Sequence, residues 1–309
     1  MNQPRHFLDL DRLNGALLGR LLERASAYKR NRAALRAEPG AGRGRTLAML
    51  FEKPSTRTRV SFEVAMNELG GRALTLDRQG TQIGRGESLA DTARVLSRYA
   101  DVALLRTGSH AQLEEFAGHA EIPVINGLTD RSHPCQVMAD LLTLRDRFGS
   151  LEGRHVAWIG DGNNVANSWI HAAMQLGVQL RVACPPSRQP PADLVSRAVE
   201  SGYVDLVDGP AAAARGASAL VTDTWKSMAA DPSADGLADR QAVFRPFQVN
   251  QSLMDAAAPG AVFMHCLPAY RGEEVTAEVI DGPDSVVWDE AENRLHAQKA
   301  ILEWCLAES

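Results

Sequence analysis

The chain has 309 residues, of which 45% are hydrophobic and 23% are charged, and its formal net charge is −5. This length exceeds what one small core needs and allows two domains of ordinary size. Acids and bases are interspersed along the chain, which argues against nucleic acid or an anionic membrane as a partner. The sequence contains no leader-like start and no apolar run of membrane-spanning length, so we predict a cytoplasmic protein.

The cysteine pattern argues against covalent or metal cross-links. Cys135, Cys184, Cys266 and Cys305 are widely spaced, and no C-x-x-C pair occurs. Neither a disulfide framework nor a zinc ribbon is therefore predicted, and each cysteine is expected to be a free thiol.

Hydrophobic periodicity predicts alternating strands and helices in the first half of the chain. The predicted helices span residues 9–37, 59–69, 88–99, 111–117 and 133–148, and the predicted strands span 46–51, 73–76, 102–106 and 124–126. Such alternation is typical of a parallel sheet flanked by helices.

The same pattern continues after a glycine-flanked turn at 149–153, the predicted hinge. Predicted strands follow at 156–160, 180–184, 204–207, 219–222, 262–265 and 286–288, with helices at 167–176 and 293–307 and a mobile loop at 228–241. We therefore predict an α/β fold with two domains, residues 1–148 and 149–292, each a parallel β-sheet flanked by helices.

A run of hydroxyl and guanidinium side chains lies between a predicted strand and a predicted helix. Ser55, Thr56 and Thr58 can donate to phosphate oxygens, and Arg57 offers a planar cation that fits phosphate. The start of a helix also favours an anion. The alternative is an N-capped helix that carries solvated arginines.

Further polar residues follow other predicted strands. Arg106 ends one strand, and His133 and Gln136 open the helix that follows another. Because ligands of open α/β sheets gather at the carboxyl ends of strands, these groups can converge on one ligand. His133 and Gln136 suit a carbamoyl group, although a histidine at this position often only bonds the helix start.

The segment from Gly160 to Asn167 follows a strand and precedes a helix, so we considered a nicotinamide dinucleotide site and a dehydrogenase function. Its match to G-x-G-x-x-G is partial, because Val165 replaces the third glycine. The resulting prediction is that no nicotinamide cofactor binds here.

Two polar groups end strands of the second predicted domain. Asp223 can hold an ammonium group, and Cys266 is a proton acceptor close to an amine, unless it is simply a core cysteine. His265 precedes Cys266, but side chains of consecutive residues point apart in an extended segment. No metal site is therefore predicted.

Together these segments resemble the ornithine carbamoyltransferases over nearly the whole chain. The resemblance rests on four motifs: Phe51-Glu-Lys-Pro-Ser-Thr-Arg-Thr-Arg59, His133-Pro-Cys-Gln136, Asp223 with Ser227-Met228, and His265-Cys-Leu-Pro268. Residues 86–97 and 291–300 are also similar to that family. Aspartate and putrescine carbamoyltransferases lack the Asp-x-x-x-Ser-Met element, which favours ornithine as the acceptor.

The resemblance implies a role for each matching residue. Carbamoyl phosphate would contact Ser55, Thr56, Arg57, Thr58, Gln82, Arg106, His133, Pro134, Cys135, Gln136, Cys266, Leu267 and Arg294, with Gln82 reaching in from a neighbouring subunit. Ornithine would contact Asn164, Asp223, Ser227 and Met228. The catalytic residues would be Arg106, His133, Asp223 and Cys266.

The resemblance also implies an active site in the cleft between two domains, a C-terminal helix at 293–309 that packs back on the first domain, and a homotrimer or a multiple of trimers. The substrates would be carbamoyl phosphate and L-ornithine, with no cofactor. Ala229 departs from the family's usual glycine after Ser-Met, which puts closure over ornithine in doubt. A binding protein that has lost the chemistry remains an alternative, and synthesis and breakdown of arginine would use the same site.

Overall fold

The computed structural model describes residues 4–37, 40–77, 86–225 and 237–307. The chain divides into two compact units, which we call unit 1 (Met1–Leu142 with Glu292–Ser309) and unit 2 (Thr143–Ala291). The first change of unit falls inside one long helix, Pro134–Phe148. The domain boundaries at 148/149 and 292/293 stay predictions.

Unit 1 is built on a four-stranded parallel sheet with the strand order β2–β1–β3–β4. Its strands are β1 (Thr46–Phe51), β2 (Arg72–Asp77), β3 (Val102–Arg106) and β4 (Val124–Leu128). The helices along this part of the chain are α1 (Gly15–Arg30), α2 (Arg32–Ala37), α3 (Thr56–Glu68), α4 (Leu89–Leu96), α5 (His110–His119) and α6 (Pro134–Phe148). All five residues of β3 are buried, as expected for a strand covered on both faces.

Unit 2 is built on a five-stranded parallel sheet with the order β7–β6–β5–β8–β9. Its strands are β5 (His155–Ile159), β6 (Gln179–Ala183), β7 (Val204–Leu206), β8 (Ala219–Thr222) and β9 (Val262–His265). The helices that follow α6 are α7 (Asn164–Leu176), α8 (Ala192–Glu200), α9 (Pro210–Ala214), α10 (Leu237–Phe244), α11 (Gln251–Ala256), α12 (Ala277–Ile280) and α13 (Val287–Leu306).

Each unit has its own apolar core. In unit 1, side chains of the central strands such as Ala103 and Leu105 pack with Phe116 of α5. In unit 2, Ile159 and Leu220 pack with Phe263. Within the described residues, no helix has both the length and the apolar character needed to cross a bilayer.

The predicted fold class is confirmed, because both sheets are parallel and are connected by helices. Strands β1, β3, β8 and β9 have the predicted bounds. The predicted helix at 9–37 is broken, because Asn14 caps a new start at Gly15 and α1 ends at Arg30. Of the predicted mobile loop, residues 237–241 belong to α10 and residues 228–236 lie outside the described residues.

The prediction of a strand at 286–288 is wrong. Helix α13 begins at Val287, and Asp289 and Glu290 lie in its first turn. Acidic side chains stabilise the positive end of a helix dipole, and this outweighs the β-forming tendency of a short Val-Val-Trp run. The closing helix therefore begins earlier than the predicted residue 293.

Candidate active site

In unit 1, polar side chains follow the carboxyl ends of the two central strands. The chain moves outward from β1 to β2 and then returns to the other side of β1 with β3, so the strand order reverses between β1 and β3. Ligands of open α/β sheets bind at such a reversal. Ser55 and Thr58 lie after β1, and Arg106 is the last residue of β3.

The loop after β1 ends in a capped helix. The Ser55 hydroxyl accepts a hydrogen bond from the backbone N–H of Thr58 at 3.4 Å and caps α3. The capped-helix interpretation is therefore correct for Ser55, but a hydroxyl that accepts can still donate its own hydrogen. Thr56 is exposed and Arg57 is half-buried, so both side chains can be reached by a ligand.

A cavity of about 550 Å³ adjoins this loop, and its volume falls in the range of small-molecule sites. It is lined by Phe51, Glu52, Pro54, Ser55, Thr56, Arg59, Val60, Thr75 and Asp77. Ser55 and Thr56, two of the predicted phosphate ligands, therefore face open space.

Two arginines converge on the buried hydroxyl of Thr58. Arg106 Nη1 donates to Thr58 Oγ1 at 3.1 Å, and Arg294 Nη2 donates to the same oxygen at 2.9 Å. With both lone pairs of Oγ1 engaged, the hydroxyl hydrogen is what Thr58 can offer to a ligand oxygen. The side chains of all three residues are buried, which places two permanent cations close together in a poorly solvated region.

Arg294 also fixes the amide of Gln136. Arg294 Nη1 donates to Gln136 Oε1 at 2.8 Å, and Gln136 Nε2 donates to Asp140 Oδ1 at 2.8 Å. Residues from β3, α3, α6 and α13 thus meet in one hydrogen-bonded cluster, which brings together four of the predicted ligands: Thr58, Arg106, Gln136 and Arg294.

His133 is buried beside this cationic cluster. Burial lowers the pKa of His133 well below its ordinary value of 6.5, and the charges of Arg294, Arg106 and Arg57 lower it further. The imidazole is therefore neutral at pH 7, with one N–H donor and one acceptor.

The surroundings of Cys135 keep its thiol unreactive. Its thiol is buried and donates to the carbonyl oxygen of Asn126 at 3.4 Å. Burial raises its pKa to about 12, so the thiolate does not form at neutral pH. The implied contact of Cys135, like that of Pro134 at the start of α6, stays a prediction.

Glu52 belongs to the Phe51–Arg59 motif, and no role was predicted for its side chain. Its carboxylate Oε2 accepts from the Thr107 hydroxyl at 2.6 Å and from the Gly108 backbone N–H at 3.1 Å. Its backbone N–H donates to the carbonyl oxygen of Arg106 at 3.0 Å. Glu52 therefore ties the end of β1 to the end of β3 and fixes the direction in which Arg106 leaves its strand.

In unit 2 the strand order reverses between β5 and β8. The segment after β5 carries the glycines that prompted the dinucleotide alternative, and packing explains one of them. A Cβ at Gly162 would lie 2.4 Å from the backbone nitrogen of Pro190. Asn163 caps α7 by accepting from the backbone N–H groups of Val165 and Ala166 at 2.9 and 3.1 Å. The donors that a pyrophosphate needs are therefore occupied.

Asp223 follows β8 and is the centre of a polar group in unit 2. Asn163 Nδ2 donates to Asp223 Oδ2 at 2.7 Å, and the Cys266 thiol donates to Asp223 Oδ1 at 3.0 Å. Asp223 is buried and Cys266 is half-buried. Two of the predicted residues are therefore brought into contact, and Asn163 is a partner that sequence analysis missed. Asn164, which the resemblance implies as an ornithine ligand, is the first residue of α7, and that role stays a prediction.

The segment around Cys266 is shaped by His265. His265 Nδ1 accepts from the backbone N–H of Leu267 at 2.8 Å, so its proton lies on Nε2, which is 3.2 Å from Glu274 Oε1. Leu267 has a φ of +56°, and the Leu267–Pro268 peptide is cis. Branched, bulky residues rarely adopt this backbone conformation, and such outliers cluster at functional sites. No sequence signal marked Glu274.

The prediction that His265 and Cys266 point apart is wrong. One ligand-type atom from each of Asp223, His265 and Cys266 lies within 4.8 Å of the others. Strand β9 ends at His265, and the backbone turns into the left-handed region at Leu267, so the pair does not lie within a regular strand. Both ring nitrogens of His265 already have protein partners. That no metal binds stays a prediction.

Three of the predicted ligands, Gln82, Ser227 and Met228, lie outside the described residues, as does Ala229.

Both halves of the chain match one enzyme family. Residues 5–146 match the carbamoyl-P binding domain of the aspartate/ornithine carbamoyltransferases, and residues 152–305 match the Asp/Orn binding domain. The chain therefore belongs to the aspartate/ornithine carbamoyltransferase family.

Within this family, the similar proteins are ornithine carbamoyltransferases. One from Bradyrhizobium diazoefficiens is 55% identical over 303 residues, covering 98% of this chain and 97% of the relative. One from Caulobacter vibrioides is 50% identical and covers 99% and 98%. The solved ornithine carbamoyltransferase of Pyrococcus furiosus has 48% identity and a TM-score of 0.90, covering 97% and 96%. The predicted family and the predicted enzyme class are confirmed.

Proposed function

We propose that this chain transfers the carbamoyl group of carbamoyl phosphate to the side-chain amine of L-ornithine, giving L-citrulline and phosphate. The observation that carries the proposal is the buried cluster in unit 1, where Arg106 and Arg294 share the Thr58 hydroxyl. Two guanidinium groups that are buried and bonded to one hydroxyl suit a dianionic acyl phosphate such as carbamoyl phosphate.

Carbamoyl phosphate would bind with its phosphate on the loop at 55–58. Hydroxyls of Ser55 and Thr56 and the guanidinium of Arg57 would neutralise the phosphate oxygens. The neutral ring of His133 would donate its N–H to the carbamoyl carbonyl, and Gln136, whose amide is fixed by Arg294 and Asp140, would orient the carbamoyl nitrogen.

The amine of ornithine must lose a proton before it attacks, because an ammonium group has no lone pair. The Cys266 thiol already donates to Asp223 Oδ1. In the proposed step, the ammonium proton passes to Cys266 Sγ while the thiol hydrogen passes to the Asp223 carboxylate. The pair thus accepts one proton without leaving a charged thiolate.

The neutral amine then attacks the carbonyl carbon, and negative charge develops on the carbonyl oxygen. Arg106 and the Thr58 hydroxyl, with His133, would stabilise that charge by fixed hydrogen bonds. The bond between the carbamoyl carbon and the bridging oxygen then breaks, the second proton of the attacking amine passes to the departing phosphate oxygen, and hydrogen phosphate leaves beside the arginines. Positioning and charge stabilisation suffice for this reaction, so we propose that it needs no cofactor.

Selectivity for ornithine would come from its α-groups. We propose that the Asn164 amide holds the α-carboxylate and that Asp223 holds the α-amine, with Ser227 and Met228 as further contacts. An acceptor without the α-carboxylate would leave the polar groups that bind it unpaired, and this favours ornithine over putrescine.

We further propose that the enzyme serves arginine biosynthesis in the cytoplasm and assembles as a trimer whose subunits supply Gln82 to one another. Val60 on α3, which lines the same cavity as Ser55, and Leu74 on the edge strand β2 support an assembly, because their side chains are 53% and 54% exposed. Analytical ultracentrifugation would test this: a species of three chains is expected, and a monomer would contradict it.

The test of the activity is citrulline formation by purified protein with carbamoyl phosphate and one of four acceptors: L-ornithine, putrescine, L-aspartate or N-acetyl-L-ornithine. We expect turnover with ornithine and at most traces with the others. Turnover with another acceptor would overturn the roles given to Asp223 and Asn164. No turnover with any acceptor would favour a binding protein that has lost the chemistry.

A further inference from the structure

The C-terminal helix α13 buries a lysine far from the ligand groups of unit 1. Lys299 is 2% exposed, and its Nζ lies 2.7 Å from Glu68 Oε2. The same Nζ lies 4.9 Å from the ring centre of Tyr28 in α1. A buried ammonium is stable only when it is paired, and Lys299 is paired with the last residue of α3.

Glu68 has a second cationic partner. Arg32 Nη2 and Nε lie 2.6 and 3.1 Å from Glu68 Oε1. Both carboxylate oxygens are therefore occupied: Oε1 accepts from α2, and Oε2 accepts from α13 and, at 3.4 Å, from Arg32 Nε. Buried ion pairs of this kind add little net stability compared with an apolar pair, but they restrict which arrangements of the helices are allowed.

Helices α3 and α13 also meet at the ligand end. Thr58 in the first turn of α3 accepts from Arg294 of α13 at 2.9 Å. Ten residues separate Thr58 from Glu68, which is about 15 Å along a helix at 1.5 Å per residue. The two helices are thus joined at two separated points, and a single joint at Arg294 would leave α13 freer to slide or turn against α3.

We propose that Lys299 and Glu68 are positioning residues for carbamoyl phosphate binding. Their ion pair fixes the position of α13 against α3. Arg294 is therefore already bonded to Thr58 and Gln136 before the ligand binds, and it does not have to move on binding. The inference rests on the proposed function, since the ligand concerned is the one assigned above to the loop at 55–58. Neither residue is among the ligands implied by the resemblance.

The main test is the variant Lys299→Met, which keeps most of the side-chain volume and removes the charge. We expect the KM for carbamoyl phosphate to rise about 10-fold, because small displacements of binding groups weaken a ligand strongly. The KM for ornithine at saturating carbamoyl phosphate should stay within about 2-fold. Lys299→Arg keeps the cation and should recover most of the loss.

Glu303→Gln is the matched control. Glu303 lies on the same helix and forms an ion pair with Arg24 of α1 at 2.5 and 2.7 Å. Its loss removes a similar bond between α13 and another helix without touching α3, so both KM values should remain those of the wild type. If Lys299→Met fails to fold, Glu68→Gln tests the same pair with a neutral side chain of nearly the same shape.

A readout independent of turnover keeps the two proposals distinguishable. Calorimetric binding of a non-reactive phosphonate analogue of carbamoyl phosphate should weaken about 10-fold in Lys299→Met and stay unchanged in Glu303→Gln. Wild-type protein that binds the analogue but makes no citrulline would refute the proposed function and leave the positioning role testable. Equal affinity of wild type and Lys299→Met, or an equal loss in Glu303→Gln, would overturn the positioning role.

Discussion

The two units place polar groups at the same location in their sheets but with opposite chemistry. In unit 1 the reversal of strand order between β1 and β3 carries permanent cations, with Arg106 and Arg294 converging on Thr58. In unit 2 the reversal between β5 and β8 carries the Asp223 carboxylate with Asn163 and Cys266 as donors to it. We therefore propose that one architecture serves the anionic substrate in unit 1 and the amine substrate in unit 2.

The contrast between the two units corresponds to a difference in charge between the two substrates. An acyl phosphate keeps its charge throughout binding, and guanidinium groups match it because they are always protonated. An amine must change its charge before it reacts, and Asp223 with Cys266 offers groups that exchange protons. In the proposed function, the fixed charges of unit 1 bind one substrate, and Asp223 with Cys266 activates the other.

The largest expected effect comes from removing a cation from unit 1. Arg106→Ala should reduce kcat/KM for carbamoyl phosphate by about 10³-fold, because it removes a cation that stabilises both the bound ligand and the developing oxyanion. Steady-state citrulline formation measures this loss. Arg98→Ala is the control, since Arg98 pairs with Glu121 on the surface of the same unit and its loss should change little. Near-wild-type kinetics in Arg106→Ala would break the assignment of unit 1.

A smaller effect is expected from removing the carboxylate in unit 2. Asp223→Asn should reduce turnover with ornithine by about 10²-fold, because Cys266 loses its acceptor and the ligand amine loses its counter-ion. The KM for carbamoyl phosphate should change little. Asp281→Asn, which breaks a surface pair with Arg271, serves as the control. If Asp223→Asn raised only the KM for carbamoyl phosphate, the contrast between the units would be wrong.

A third effect concerns the proton itself. Cys266→Ser should reduce kcat about 10-fold and move the rising limb of the pH profile to higher pH, because the shorter C–O bond draws the hydroxyl away from Asp223 Oδ1, interrupts the relay and leaves the amine to lose its proton to solvent. The measurement is kcat against pH for both proteins. A profile of unchanged shape would assign the proton to another group.

The smallest effect tests the cationic cluster through His133. The pKa of His133 is lowered by burial and by the charges of Arg294, Arg106 and Arg57. Below pH 6.5 the imidazole therefore binds a proton in the unfolded chain but stays neutral in the folded chain. Stability from this group is present above pH 6.5 and is lost as pH falls through that value.

Between pH 7.5 and 5.5, wild-type protein should therefore lose about 1 kcal/mol more unfolding free energy than His133→Gln. Urea titrations at the two pH values measure the difference, and the contributions of other histidines cancel. Equal losses in the two proteins would show that neither burial nor the neighbouring cations lower the pKa of His133.

Much of this arrangement follows from the sequence because strand ends are easy to locate. The strands ending at Phe51, Arg106 and Thr222 were predicted with correct bounds, and polar residues after parallel strands meet at one edge of a sheet. The contact between Cys266 and Asp223 follows the same logic, although its distance of 3.0 Å required coordinates.

Other features depend on contacts between residues far apart in the chain. Lys299 and Glu68 are separated by 231 positions, and nothing local marks them as partners. The bond from Asn163 to Asp223 was not predicted, because it joins the cap of α7 to a residue that is 60 positions later in the chain. The prediction of a strand at 286–288 was wrong because a short apolar run has the same sequence pattern at the start of a buried helix as in a strand.

The most direct test of the contrast is calorimetric binding of a phosphonate analogue of carbamoyl phosphate to wild type, Arg106→Ala and Asp223→Asn in the absence of ornithine. Asp223→Asn should bind the analogue as wild type does, and Arg106→Ala should bind it at least about 10²-fold more weakly. Equal weakening in both variants, or wild-type affinity in Arg106→Ala, would contradict the division of roles between the two units.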